Sequence, residues 1–275
     1  MPALRDRIAE GPCLWLDYTA YAGALLANGS VPWLDTDALI GWMRKAQSLL
    51  KSDVVALPLD LVSERWLERH AELKAAMGAR RRAVYPLKTL LADEALRAYL
   101  GGLVGALRAS FPRQPLFLLL PSPRLWLAQA AAQALPGEGI EVDDDAVDSA
   151  AAYIADFLRA FADCGIDGLL LRESAASEPA SDEQLQLYQP VFNVAAHYRW
   201  ELGAQLPVAA HPPAPGGGFV IAPQPISGRM TGVVVAAGFW GGEAPPPCPP
   251  GGFRYAEIPA EAMPEGVLDR LSSLR

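Results

Sequence analysis

The sequence predicts an α/β protein and, within that class, a (β/α)8 TIM barrel, on three observations. Short apolar runs suited to buried parallel strands alternate with longer amphipathic stretches. The runs number eight, and several end in a polar or charged residue at the point where a helix pattern opens. Barrels of this kind reach about 250 residues undivided, so residues 1–275 are expected to form one domain.

The expected strands are Cys13–Asp17, Val54–Asp60, Ala83–Lys88, Leu116–Ser122, Gly168–Glu173, Pro207–His211, Phe219–Gln224 and Gly232–Gly238. Each joins apolar residues to a polar or glycine-containing end. Asp35 and Thr36 open one helix (DTDALIGWMRKAQSLL), Asp93 a second (DEALRAYLGGLVGALRAS) and Asp182 a third, in which Pro190 predicts a break or kink. From Asp143 to Cys164, acidic residues stand in the first turn, and Ile154, Phe157, Leu158 and Phe161 follow a helical period. Beyond the sixth run, clusters at Pro212–Gly218 and Pro245–Gly252 replace full helices, and a last helix is expected near Pro264–Leu274. Those clusters read equally as loops over the barrel mouth and as plain surface linkage.

Composition narrows the function. With 51% hydrophobic and 20% charged residues the chain can bury a large core, and a formal net charge of −8 argues against nucleic acid or anionic lipid as a partner. Three cysteines without a C-x-x-C spacing suggest neither a disulfide framework nor a zinc knuckle, so a reducing cytoplasm is the expected location. The N-terminus lacks a signal-like apolar core, and the apolar runs stop short of the ~18 residues a membrane span needs. A dinucleotide fingerprint, a phosphate loop, a G-x-S-x-G elbow and an H-E-x-x-H pair are all missing from the sequence.

In a barrel of this type chemistry gathers at the strand C-termini, so the polar residues there become candidates. Asp60 ends an apolar run and must meet either a solvated pocket or a partner; an ion pair or loop cap is its plainer reading. Asp17 has the same form and could equally cap a helix. His211 is the expected proton carrier near neutral pH, with a purely structural role as its rival. Glu173 follows a buried run, with Arg172 pointing outward or paired to it, while Lys88 and Arg124 could hold an anionic group. Tyr18, Tyr21 and Trp240 would supply an aromatic wall.

Three segments, DVVALPLDLV, FLLLPSPRLWLAQAA and FADCGIDGLLLRES, resemble strand-end segments of the uroporphyrinogen decarboxylase superfamily. That superfamily also includes cobalamin-dependent methyltransfer enzymes and the catalytic barrel of cobalamin-independent methionine synthase. The resemblance implies that Asp60 is a pocket aspartate facing substrate N–H groups and that Ser174 binds substrate. Where the decarboxylases carry an arginine-rich segment after the first strand, this chain has DYTAYAGALLANGS, without arginine. The expectation is therefore a divergent member: a small-molecule enzyme doing acid/base, lyase-type or decarboxylase-type chemistry on an organic acid. Asp60, His211 and Glu173 would be catalytic, with Asp17, Tyr18, Tyr21, Lys88, Arg124, Ser174 and Trp240 binding substrate. The alternatives are a methyltransferase working with a corrinoid-protein or thiol partner, and a non-catalytic barrel that binds a ligand or a partner. No cofactor is expected; zinc, through His211, Glu173 and Cys248, belongs to the methyltransferase alternative. A homodimer is the other assembly considered.

Overall fold

In a computed structural model that describes residues 4–173, 185–206 and 218–274, eight parallel strands form one sheet in the order β1-β8-β7-β6-β5-β4-β3-β2. The strands are β1 (Leu14–Asp17), β2 (Val55–Pro58), β3 (Leu116–Pro121), β4 (Gly168–Arg172), β5 (Glu201–Gln205), β6 (Phe219–Ala222), β7 (Met230–Val234) and β8 (Phe253–Glu257). The helices are α1 (Leu4–Ala9), α2 (Thr19–Ala27), α3 (Thr36–Leu50), α4 (Leu59–Arg69), α5 (Ala71–Met77), α6 (Val84–Leu91), α7 (Glu94–Ser110), α8 (Pro123–Ala134), α9 (Asp144–Leu158), α10 (Gln189–Tyr198) and α11 (Pro264–Ser272). This is a (β/α)8 barrel that closes almost completely.

Its two end strands meet without a regular ladder. Asp53 N donates to Leu14 O at 2.9 Å, and then side chains stand in for backbone: Leu14 N donates to Asp53 Oδ2 at 2.7 Å and Leu16 N to Ser52 Oγ at 3.0 Å. The amides of β1 thus stay paired, as buried donors must.

Alternation along the strands sends Trp15, Phe117, Phe219, Phe253 and Tyr255 into the barrel. Trp15 sits 4.9 Å from Phe117 and 5.9 Å from Phe219, ring to ring. Room for these rings comes from glycine on neighbouring strands. A Cβ at Gly168 would lie 2.3 Å from the Phe117 ring, one at Gly203 2.2 Å from Phe219 and one at Gly232 2.4 Å from Phe253. The interior is therefore a packed aromatic floor and not a pore. Outside, helices bury their apolar stripes on the sheet; α3 does so through Leu39, Trp42, Met43, Ala46 and Leu50, each large side chain contributing about 1.5–3 kcal/mol.

Asp35 and Asp93 cap as expected, Asp143 caps where only first-turn acids were expected, and Asp182 lies outside the described residues. Asp35, Asp93 and Asp143 accept from Ala38 N, Leu96 N and Ala146 N at 3.0, 2.7 and 2.8 Å, opening α3, α7 and α9. The helical pattern breaks at residues 187–188, and Pro190 then sits in the first turn of α10, where its missing N–H costs nothing.

One expected strand is overturned, and two strands appear that were not expected. AVYPLK is helix: Pro86 falls in the first turn of α6, which tolerates it, and Pro86, Leu87, Leu90 and Leu91 form its buried face. The fifth strand is ELGAQ, upstream of the expected Pro207–His211, which lies outside the described residues. The eighth is FRYAE, a run in which Arg254 and Glu257 mask the strand pattern. Among the described residues no helix is long and apolar enough to cross a membrane.

Candidate functional site

Alternation lifts a different set of side chains to the strand C-termini. One step above Trp15, Leu170, Gly203 and Tyr255 stand Asp17, Arg172, Gln205 and Glu257, so a polar rim crowns the aromatic floor. Asp17 and Glu257 are paired across β1 and β8, and Arg172 and Gln205 across β4 and β5. The rim opens into a cavity of about 560 Å³, lined on its polar side by Asp17, Thr19, Arg172 and Glu257 and on its apolar side by residues that include Leu61, Val235 and Ile258. That volume suits a small organic molecule.

Asp60 is in the first turn of α4, β2 having ended at Pro58. Arg172 Nη2 donates to both of its carboxylate oxygens, each at 2.6 Å, with the two side chains only 23% and 13% exposed. Burial pushes the Asp60 carboxyl up; the guanidinium and the helix amides oppose that rise, and Asp17 adds to it. Arg172 thus pairs with Asp60, not with Glu173, and does not point outward.

Glu173 joins a second network. Ser122, fully buried, accepts from Leu125 N at 3.2 Å as the cap of α8 and donates to Glu173 Oε2 at 2.8 Å. Tyr188 donates to Glu173 Oε1 at 3.3 Å. Burial raises the Glu173 carboxyl against these hydrogen bonds, and burial with the nearby carboxylate pushes the Tyr188 phenol up to about 12.

In architecture the chain is similar to a methyltransferase from Methanosarcina mazei. The two share 11% sequence identity over 100% of this chain and 98% of that one, with a TM-score of 0.57. At that identity the likeness is one of fold. No family model matches the chain, and no curated protein matches it.

Of the residues singled out in sequence, Asp17 lines the cavity while also accepting from Thr19 N at 3.0 Å, so it both caps α2 and faces the opening. Trp240, on a short 3-10 helix after β7, donates from Nε1 to Glu257 O at 2.8 Å and so braces the rim. The expected aromatic wall is not formed by the two tyrosines. Tyr21 is buried in the α2 and α3 packing, and Tyr18, 6% exposed, lines a narrow gap between β1 and β2. Both hydroxyls are buried without a partner among the described residues, and burial raises both phenols.

Lys88 is not at a strand end. It is exposed on α6, its ammonium 5.1 Å above the Tyr153 ring. Arg124 is tied to Asp144 and to Val142 O, and its charge is near enough to Glu173 and Tyr188 to oppose the rise of both. Ser174 and His211 lie outside the described residues. Cys248 Sγ sits 3.9 Å from Gly252 O, immediately before β8 begins, whereas Glu173 follows the end of β4; the two stand at opposite ends of the barrel. His211, Glu173 and Cys248 therefore do not fit a shared zinc site, and no three His, Cys, Asp or Glu side chains converge as a ligand set among the described residues.

Gln205 and Glu257 had no sequence signal, because their strands do not read as strands. Gln205 Nε2 donates to Glu257 Oε1 at 3.2 Å, and its own Oε1 is buried without a donor. Tyr188 is reachable only through the fold, which brings it from α10's approach to the end of β4.

Proposed function

We propose that this barrel is a small-molecule enzyme of the acid/base type working at its strand C-terminal mouth. The observation carrying this reading is a guanidinium locked in place beside a ligand-sized cavity that two further carboxylates face. Asp17 and Glu257 stand where a ligand can reach them and are the groups able to accept or return a proton. Arg172 offers a fixed positive charge for a developing anion, and Asp60 acts through it, as a positioning residue rather than the free base expected from sequence. Glu173, raised by burial, is a second proton-handling group on the β3 and β4 side. The uroporphyrinogen decarboxylase resemblance implied substrate contacts for Asp60 and Ser174; Asp60 keeps a place beside the mouth through Arg172, and Ser174 lies outside the described residues.

Methyl transfer with a corrinoid or thiol partner is the second reading, favoured by the methyltransferase of similar fold. The paired state of Asp60 also suits a barrel that binds without chemistry, and turnover separates the two. The test follows substrate loss by NMR across a panel of small metabolites, with and without a thiol and a methyl donor. For the compound consumed, Asp17→Asn or Glu257→Gln should cut kcat at least about 100-fold, while Asp60→Asn should cost less. Turnover unchanged in both rim variants would overturn the proposal.

A further inference from the structure

Resting on the reading of this mouth as a ligand site, we propose that its ligand carries a protonated amine or similar cationic N–H group, seated between Asp17 and Glu257. The argument is one of charge and register. Asp17 and Glu257 occupy paired positions on neighbouring strands, both inward, both lining the cavity. Like charges on such positions repel, and a half-enclosed site screens them less than open water does. Neither is neutralised: Asp17 accepts from the Thr19 backbone amide, and Glu257 accepts from Gln205 at 3.2 Å and from the Tyr255 hydroxyl at 3.4 Å.

No ion pair reaches either one among the described residues, and the guanidinium on the same wall has given its Nη2 to Asp60. A cation supplies the counter-charge that Asp17 and Glu257 both lack, whereas a carboxylate ligand would add a third negative charge beside them. Val235 and Ile258, which also line the cavity, offer an apolar surface for the body of the molecule. This reverses the organic acid expected from sequence: of the two cations meant to hold it, Lys88 lies over the Tyr153 ring, and Arg124, though near Glu173, is paired to Asp144 and does not line the cavity.

Three probes of one shape and different charge test the inference on the full chain: phenethylamine, phenylacetate and phenethyl alcohol, titrated by NMR and by thermal shift. Phenethylamine should bind at least about tenfold more tightly than phenylacetate, and its affinity should fall as salt is raised. Asp17→Asn and Glu257→Gln should each remove most of that preference, with Glu138→Gln, an exposed carboxylate far from the rim, leaving it intact. Equal or tighter binding of phenylacetate, no binding of the amine, or a preference that survives both rim variants would overturn the inference. Charge-blind binding with turnover still dependent on the rim would sink only this ligand assignment, and amine preference without turnover only the enzymatic reading.

Discussion

The half of the barrel from β1 to β4 and the half from β5 to β8 line one interior with different material. In the first, every connection carries full helices: α2 and α3, then α4 to α7, then α8 and α9. In the second, β6 reaches β7 through residues 223–229 alone, and a single 3-10 helix, Ala237–Gly241, stands between β7 and β8. The cavity straddles the seam between the halves, along the ends of β7, β8 and β1 with Leu61 and Arg172 added, while Ser122, Glu173 and Tyr188 bind the β3 and β4 side together. The lesson is a division of labour: helices stabilise one arc of the ring, and the thin connections after β6 and β7 leave room for a ligand where that arc meets the other.

Trp15 joins the arcs, touching Phe117 on one and Phe219, Phe253 and Tyr255 on the other. Trp15→Ala should therefore cost about 3–5 kcal/mol in urea unfolding, as a single shifted transition. Two separate transitions would mean the arcs are coupled more loosely than their common floor implies. Arg172→Met should cost roughly 3 kcal/mol near neutral pH, by stranding the Asp60 carboxylate, and less in acid, where Asp60 can take up a proton. A loss that does not shrink on acidification would assign Arg172's role to packing.

A smaller effect tests the closed side. Burial lifts the Glu173 carboxyl above its ordinary 4.5, so the folded protein holds this proton more firmly than the unfolded chain does. The stability this contributes is complete below that ordinary value and is lost as pH rises through the folded one. Glu173→Gln should flatten the corresponding fall in Tm, by no more than about 1 kcal/mol. Smallest of all, Lys88→Ala should change stability by less than about 0.5 kcal/mol and leave phenethylamine binding untouched. A binding change there would reconnect the outer helix α6 to the mouth.

Legibility follows the same division. Runs such as LFLLL and GLLLR announce strands because both of their faces are buried, and Asp60 and Glu173 were visible as charges at the ends of such runs. ELGAQ hid because its inward positions carry Gly203 and the rim polar Gln205, and FRYAE because Arg254 and the rim Glu257 interrupt its inward-facing aromatic residues. AVYPLK misled in the other direction, since β-branched and aromatic residues with a proline suit a first helical turn as well as a strand.

By itself, the sequence determined the alternation of strands and helices, the aspartate caps of α3 and α7 and the parallel α/β class, because these depend on spacing and local hydrogen bonding. Only the tertiary structure decided that Arg172 answers Asp60 across 112 residues and that Asp17 faces a neighbouring glutamate on the last strand. It also set Lys88 apart from the mouth. Such pairings depend on which strands become neighbours when the ring closes, and ring closure is a property of the whole chain.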